Sequence, residues 1–492
     1  MKNKEKVKNK DKITYEHSKP VMTSYGAREM FGQFITAAFG FNVLFFYESV
    51  IGLGSLYILI GFTIYSLWNG INDPLIGYLM ERIKMPWEKK KGYRRFPWII
   101  IAAIPWAFSY FLIFLVPAEW DPTVDASYNL PVFLWYMISI IIYDTLLTIY
   151  DVNALSLYPV KFRGLDERRT VQGFGTILGI LGLVLAVIIP SIFIDQAVAS
   201  TYAIAALVST IFGLMFFILI LPGVWETKRI KEENIQRIQD AEKAEVDTFS
   251  KEMFKAVKER RFMMKVLFFY GYQVAAVMIQ QSARYIIAFV LRETGDAADL
   301  SFILLLGFML LGALISVPLW TFFSKKVNNN KKMSIAAGIF MFLTFLPMIF
   351  IDVIWGWIIT LLFFGIGLGG QWFMDPPTMG DVLDDIAVRT GKRQQSIYYG
   401  FQALFIRLGY ATIVIVITLV HILTGFVEGA PTYAELVRLS PTPELAIFGI
   451  RIHSAIFPAI IVIITVLLFW KFYDLTPEKV AENKKKLEEM NL

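Results

Sequence analysis

Residues 56–80 read LYILIGFTIYSLWNGINDPLIGYLM, an apolar run interrupted near its end by Trp68-Asn69-Gly70-Ile71-Asn72-Asp73-Pro74. About 20 apolar residues in a helix cross the roughly 30 Å of a bilayer's hydrocarbon. A carboxylate at the centre of such a helix costs on the order of 2.5 to 3.5 kcal/mol on insertion scales, so Asp73 reads as a functional group. Asn69 and Asp73 are four residues apart and share one helix face. Pro74 removes a backbone donor at that level and leaves a carbonyl open to a cation or water.

The rest of the chain repeats the pattern. Further apolar stretches fall near 29–51, 97–117, 131–157, 172–193, 201–222, 263–291, 301–323, 333–352, 354–376, 396–421 and 447–472, which with 56–80 makes twelve. The predicted fold class is an all-α membrane protein of twelve transmembrane helices in two six-helix bundles. A cytoplasmic N-terminal tail, 1–24, precedes an N-terminal bundle, 25–222, and a polar linker, 223–262, leads to a C-terminal bundle, 263–473, and a C-terminal tail, 474–492. Within the linker, 226–246 reads as an amphiphilic, solvated helix.

Composition supports this. Of 492 residues, 56% are hydrophobic and 18% charged, against about 25% charged in soluble domains. The net charge of +6 sits in loops between apolar runs, and no nucleic-acid motif is present. Basic residues concentrate in loops 81–96 and 158–171 and at Lys325, Lys326, Lys331, Lys332, Arg389, Lys392 and Arg393. By the positive-inside rule both termini are expected in the cytoplasm of a multi-pass cell-membrane protein. With no cysteine and only His17, His421 and His453, thiolate metal sites are excluded, and no cofactor or metal is expected beyond a coupling cation. Walker, Gly-x-Ser-x-Gly and His-Glu-x-x-His patterns are missing from the sequence, so ATP-driven transport and hydrolysis lack support and an enzyme is not expected.

The polar residues inside the spans carry the functional reading. Asp144 and Asp151 are seven apart on one face of the fourth span, a stripe that should line water or meet a base. Arg284 and Arg407 are the cations read as buried, each able to clamp a carboxylate but neither a proton carrier. Gln33, Asn153, Gln172, Gln273, Gln280, Gln371 and Gln402, with Tyr47, Tyr150, Tyr272, Trp372 and Tyr399 nearby, form the mixture that a sugar requires: paired donors and acceptors beside flat apolar rings. Gly365, Gly367 and Gly370 match a dinucleotide fingerprint formally, but within an apolar run they read as helix packing, as do Gly175 and Gly179. Asp375-Pro376-Pro377 is expected to break or kink the tenth span.

At three patches the chain resembles the major facilitator superfamily and, within it, the glycoside-pentoside-hexuronide:cation symporters typified by the melibiose carrier. They are Asn72-Asp73-Pro74 with Gly77-x-x-x-Glu81-Arg82 and Gly92-Tyr93-Arg94-Arg95-Phe96-Pro97-Trp98; Asp151 to Arg169; and Asp381-x-x-Asp384 with Thr390-Gly391-Lys392-Arg393. The resemblance implies that Asp73 is a cation-site carboxylate with Asn72 its neighbour and Asp151 a sugar-hydroxyl acceptor. Gln402 and Trp372 would line the cavity, and Glu81, Arg82, Asp381, Asp384 and Arg393 would be gating loop charges. Arg407 falls where these carriers often have a lysine near the cation site. Gln33 stands where a sugar-binding aspartate is expected, Leu155 where a tryptophan can pack on the ring, and Asn69 where a second cation-site aspartate is common.

Without a carboxylate at Asn69, Asp73 reads as a lone acid beside Asn72, suited to a proton or an Arg407 pair before sodium. Arg284 brings an anionic solute such as a uronide within the expectation, so the substrate-binding set is Gln33, Asp151, Arg284, Trp372 and Gln402, and the cation or coupling set Asn69, Asn72, Asp73 and Arg407. The expected protein is a monomeric secondary transporter in contact with membrane lipids. It moves a sugar-like small-molecule solute by alternating access, with coupling to H+ or Na+. A uniporter or lysolipid carrier of the same fold stays open, as does, in another class, a membrane receptor that binds without transport.

Overall fold

The computed structural model describes residues 16–82, 85–163, 165–240, 258–391 and 395–490, and every regular element among them is helical. The N-terminal half comprises α1 (Lys19–Phe45), α2 (Ser55–Arg82), the short α3 (Pro86–Lys91), α4 (Phe96–Ile113), α5 (Asn129–Lys161), α6 (Leu165–Ser191) and α7 (Ala199–Val224). The linker contributes α8 (Lys228–Asp240). The C-terminal half comprises α9 (Arg260–Tyr285), α10 (Gly295–Val327), α11 (Asn330–Met348), α12 (Ile354–Thr390), α13 (Gln395–Thr424), the short α14 (Tyr433–Leu439), α15 (Pro443–Arg451) and α16 (Phe457–Phe472), followed by α17 (Pro477–Glu489). Among the described residues, eleven helices are long and apolar enough to cross a membrane. The twelfth expected span, α2, has ample length at 28 residues but is not among them; it is the helix that carries Asn69, Asn72 and Asp73.

Each half closes around its own helix pairs, α1 on α6 and α7 in the first and α12 on α10 and α11 in the second. The halves meet along α2–α13, α6–α10 and α1–α9. Small residues set the close approaches, since apolar lipid gives helices no hydrophobic reason to associate and close packing must do so. A methyl group on Gly365 would overlap the Met309 carbonyl oxygen, and one on Gly182 the Met30 carbonyl oxygen. Both neighbours are backbone, which cannot swing aside. Gly365→Ala is therefore expected to lower stability by roughly 1–3 kcal/mol, read as a fall in the melting temperature of detergent-solubilised protein.

Two boundaries differ from expectation. The first helix begins at Lys19, well before the apolar run, and so brings Arg28 and Glu29 into the bundle. The tenth span does not break: α12 runs through Pro376 and Pro377 as one 37-residue helix. Proline removes a donor without forbidding the helix when neighbouring elements surround it. The amphiphilic linker helix is present in its described part, with Asn234 Nδ2 donating to Gly92 O at 3.0 Å and Lys231 Nζ 3.8 Å from the Tyr93 ring centroid. Just before it, the Glu226 carboxylate accepts from the backbone amides of Arg94, Arg95 and Phe96 at 2.9, 3.3 and 3.3 Å, capping the start of α4. Burial pushes the Glu226 carboxyl above its usual range, opposed by those amides.

Candidate functional site

Midway along the bundle, between the halves, lies a cavity of about 120 Å3. Its polar lining is Gln33 and Thr36 from α1 and Gln273, Gln280 and Gln281 from α9; Phe41 of α1, Trp372 of α12 and Tyr410 of α13 supply rings. The described lining residues include no charged side chain. Trp372 Nε1 donates to Gln273 Oε1 at 3.3 Å, and the buried Gln281 Oε1 has no hydrogen-bond partner in the protein. The cavity can therefore accept and donate hydrogen bonds around a flat ring, without fixing a charge.

Toward the α2–α13 seam the acids gather. Asp144 is almost fully buried and accepts from Asn69 Nδ2 at 2.6 Å, Asn72 Nδ2 at 3.0 Å and the Tyr65 hydroxyl at 3.2 Å. Thr148, one turn on, donates its hydroxyl to Asp73 Oδ1 at 2.8 Å and accepts from Asn72 at 3.0 Å. Across the seam, Arg407 of α13 ion-pairs with Asp73 and hydrogen-bonds Asn69 Oδ1. Asp73 is thus not a lone acid. With both carboxylates ionised, Asp73, Asp144 and Arg407 sum to one negative charge, an arrangement that favours taking up one cation or proton. The sequence offered Asp144 as a stripe-mate of Asp151, but the register of α5 against α2 decides its company, and that register is a tertiary fact.

Asp151 meets a different base. Its Oδ1 accepts from Arg28 Nη1 at 2.9 Å, and Arg28 also pairs with Glu29. Both α1 residues lie at the very start of the apolar run and are not among the expected site residues. The spacing Glu29, Gln33, Thr36, Gly40 marks one polar face of that helix and was the available signal. Gln402 turns from the cavity toward Asp375, donating Nε2 to Oδ2 at 3.3 Å. Asp375 also accepts from the Tyr272 hydroxyl at 2.9 Å and ion-pairs with Lys265, which is 1% exposed. Lys265, hidden in the sequence by its place next to the basic linker, is buried like Arg284, whereas Arg407 is partly exposed.

Arg284 lies beyond the cavity, at the end opposite the termini, here called the far end. Fully buried, it donates Nε to Asn42 Oδ1 of α1 at 2.8 Å, with its guanidinium carbon 4.4 Å from the centroid of Phe302 and Asp299 at 3.7 Å. At the opposite, linker end, Asp381 accepts from Asn330 Nδ2 at 2.7 Å, and Asp384 is half-buried. Asp385, not singled out in the sequence, is buried and takes Arg261 at 2.7 Å, Arg389 at 3.1 Å and Asn483 of α17 at 3.1 Å. Arg393 lies outside the described residues, as do the side chains of Glu81 and Arg82.

Comparison with known proteins agrees with this architecture. The family described as MFS/sugar transport protein matches residues 24–477. Sodium-dependent lysophosphatidylcholine symporter 1-A of Danio rerio is 22% identical over 488 residues, covering 93% of this chain and 86% of that protein. The lactose permease of Lactobacillus delbrueckii subsp. bulgaricus is 22% identical over 437 residues, covering 85% of this chain and 63% of that protein. Among solved structures, a D-xylose-proton symporter shares the fold with a TM-score of 0.58 at 16% identity, covering 92% of this chain and 97% of that one. A nucleoside transporter follows at 0.54 and 15%, covering 92% and 98%. With two packed helical halves around a central cavity and a family match over nearly its whole length, the chain belongs to the MFS/sugar transport protein family, a branch of the major facilitator transporters.

Proposed function

We propose that this transporter carries a neutral, sugar-like solute by alternating access and couples its movement to a cation, a proton before sodium. One observation carries the reading of the solute: the described lining of the cavity between the halves offers four glutamines and three aromatic rings, and no charged side chain. Hydroxyl groups need such donors and acceptors, and a pyranose face packs on a ring. Arg284 lies outside the lining of the cavity, which favours a neutral solute over a uronide. The net negative charge of the Asp73, Asp144 and Arg407 cluster at the interhalf seam supports the coupling.

A lysolipid is the second reading, because several of the similar proteins are named as lysophosphatidylcholine symporters. It requires a lateral opening for an acyl chain along the α6–α10 or α2–α13 seam, and in this conformation helices pack together along both. Uptake into proteoliposomes under imposed proton or sodium gradients, across neutral sugars, uronides and lysolipids, separates the readings. Gln280→Leu is expected to weaken sugar uptake about tenfold, the loss of roughly one hydrogen bond, with the melting temperature unchanged. Equal uptake of sugars by the variant would remove the cavity from the reading, and uptake of lysolipids alone would replace it. Counterflow exchange excludes a receptor that binds without transport.

A further inference from the structure

Two of the chain's three histidines meet at the far end, with His421 Nε2 and His453 Nε2 3.1 Å apart. His421 Nδ1 is 2.9 Å from Glu48 Oε2, and His453 Nδ1 is 2.8 Å from Ser282 Oγ. Glu48 also accepts from the Tyr285 hydroxyl at 2.6 Å and the Ser55 hydroxyl at 3.2 Å. Glu48, His421, His453, Ser282 and Tyr285 are all 0% exposed. Glu48 belongs to the N-terminal half and the histidines to the other, so the chain of contacts ties the halves together beyond the cavity. The backbone is specialised there: Glu48 and His453 lie in π-turns, Phe46–Val50 and Ile452–Ile456, and Tyr285 directly precedes a third, Ile286–Val290. Such turns often mark functional sites.

We infer that Glu48, His421 and His453 form a proton-binding latch that closes the far end of the transporter. The Nε2 contact requires that one nitrogen carry a proton and the other not. Two proton inventories satisfy every hydrogen bond of the triad. With two protons the triad is Glu48 carboxylate plus two neutral imidazoles, net charge −1, and Ser282 donates to His453. With three protons the net charge is zero, and His453 donates to Ser282. Full burial selects the neutral form, because an uncompensated charge out of water is the costlier state.

The surrounding charges reinforce that choice. Arg284 on α9, with Tyr202 facing it, is engaged by Asp299 and Asn42; Arg451 on α15 pairs with Asp352; Glu428 accepts from Ser55 N at 2.8 Å and adds negative potential. When the far end opens, Glu48 parts from the histidines into water, where carboxylates titrate near about 4.3 and imidazoles near about 6.5. Above that pH the third proton leaves. Opening therefore releases one proton, and closing takes it up.

The latch rests on the reading that the two halves part and rejoin around the cavity, and its test uses no solute. The chain has no cysteine, so Val124→Cys and Phe350→Cys, at exposed far-end positions in opposite halves, accept spin labels without background. In nanodiscs, with the two histidines still in contact after Glu48 leaves, the open-to-closed ratio from interlabel distances is expected to be flat between about pH 4.3 and 6.5. Above that range the ratio rises tenfold per pH unit until the closed triad itself loses its proton. Glu48→Gln and His421→Gln should each flatten the profile, and Tyr285→Phe, which spares the three proton carriers, should keep the slope. A flat profile in the wild-type protein, or an unchanged slope in a folded Glu48→Gln, overturns the latch. Loss of gradient-driven uptake with the slope intact would count against the transport reading and not against the latch.

Discussion

Arg407→Gln is expected to abolish gradient-driven uptake. The guanidinium is the positive partner of two carboxylates, Asp73 directly and Asp144 through Asn69. Without it the seam holds two negative charges inside a membrane-spanning bundle, where an unpaired carboxylate costs on the order of 2.5 to 3.5 kcal/mol. Asp73 and Arg407 are each about 30% exposed, so solvent screens part of that cost. The expected result is a reduced folded yield, with surviving protein holding a cation that it cannot release. Arg407→Gln combined with Asp73→Asn restores the net charge and should restore the yield while leaving coupling absent. Uptake and size-exclusion profiles of the single and double variants make the comparison; gradient-driven uptake by the single variant would remove Arg407 from the coupling site.

Lys265→Ala is expected to be the most destabilising single substitution on the C-terminal side. Lys265 is 1% exposed and Asp375 17%, so the pair lies largely out of water between α9 and α12. Removing one partner of such a pair costs about 3–5 kcal/mol, since the other charge stays behind. Tyr272 and Gln402 still donate to Asp375 and soften the loss. Lys265→Met with Asp375→Asn should recover most of the melting temperature, because it removes both charges together. If the single variant melts like the wild type, the pair contributes little.

The architecture was legible because hydrophobicity along a membrane chain is a one-dimensional signal, and the linker at 223–262 divides it visibly. Asp73 and Arg407 stood out for the same reason, each a charge inside an apolar run. What stayed hidden depends on contacts across helices. Asp144 gains its partners Asn69 and Asn72 from α2, and Asp375 its partner Lys265 from α9. Arg28, Glu29 and Lys265 sit where apolar runs have barely begun, so they read as charges flanking a span. Glu48, His421 and His453 lie 373 and 32 residues apart along the chain, and nothing in their local sequence announces that they touch.

At the linker end each half is braced to itself. The linker helix α8 is held by Asn234 on Gly92 and by Arg163 on Glu233 in the N-terminal half; α17 is held by Asn483 on Asp385, which Arg261 joins to Asp474 in the C-terminal half. Arg261 bonded to Asp474 keeps that carboxyl below its usual range, so this brace persists across the neutral pH scale. Alternating access would leave these braces whole. The bonds that opening the other end would break include the buried contacts of Glu48 and Arg284, while the Arg407–Asp73 pair crosses the seam between them and the linker end.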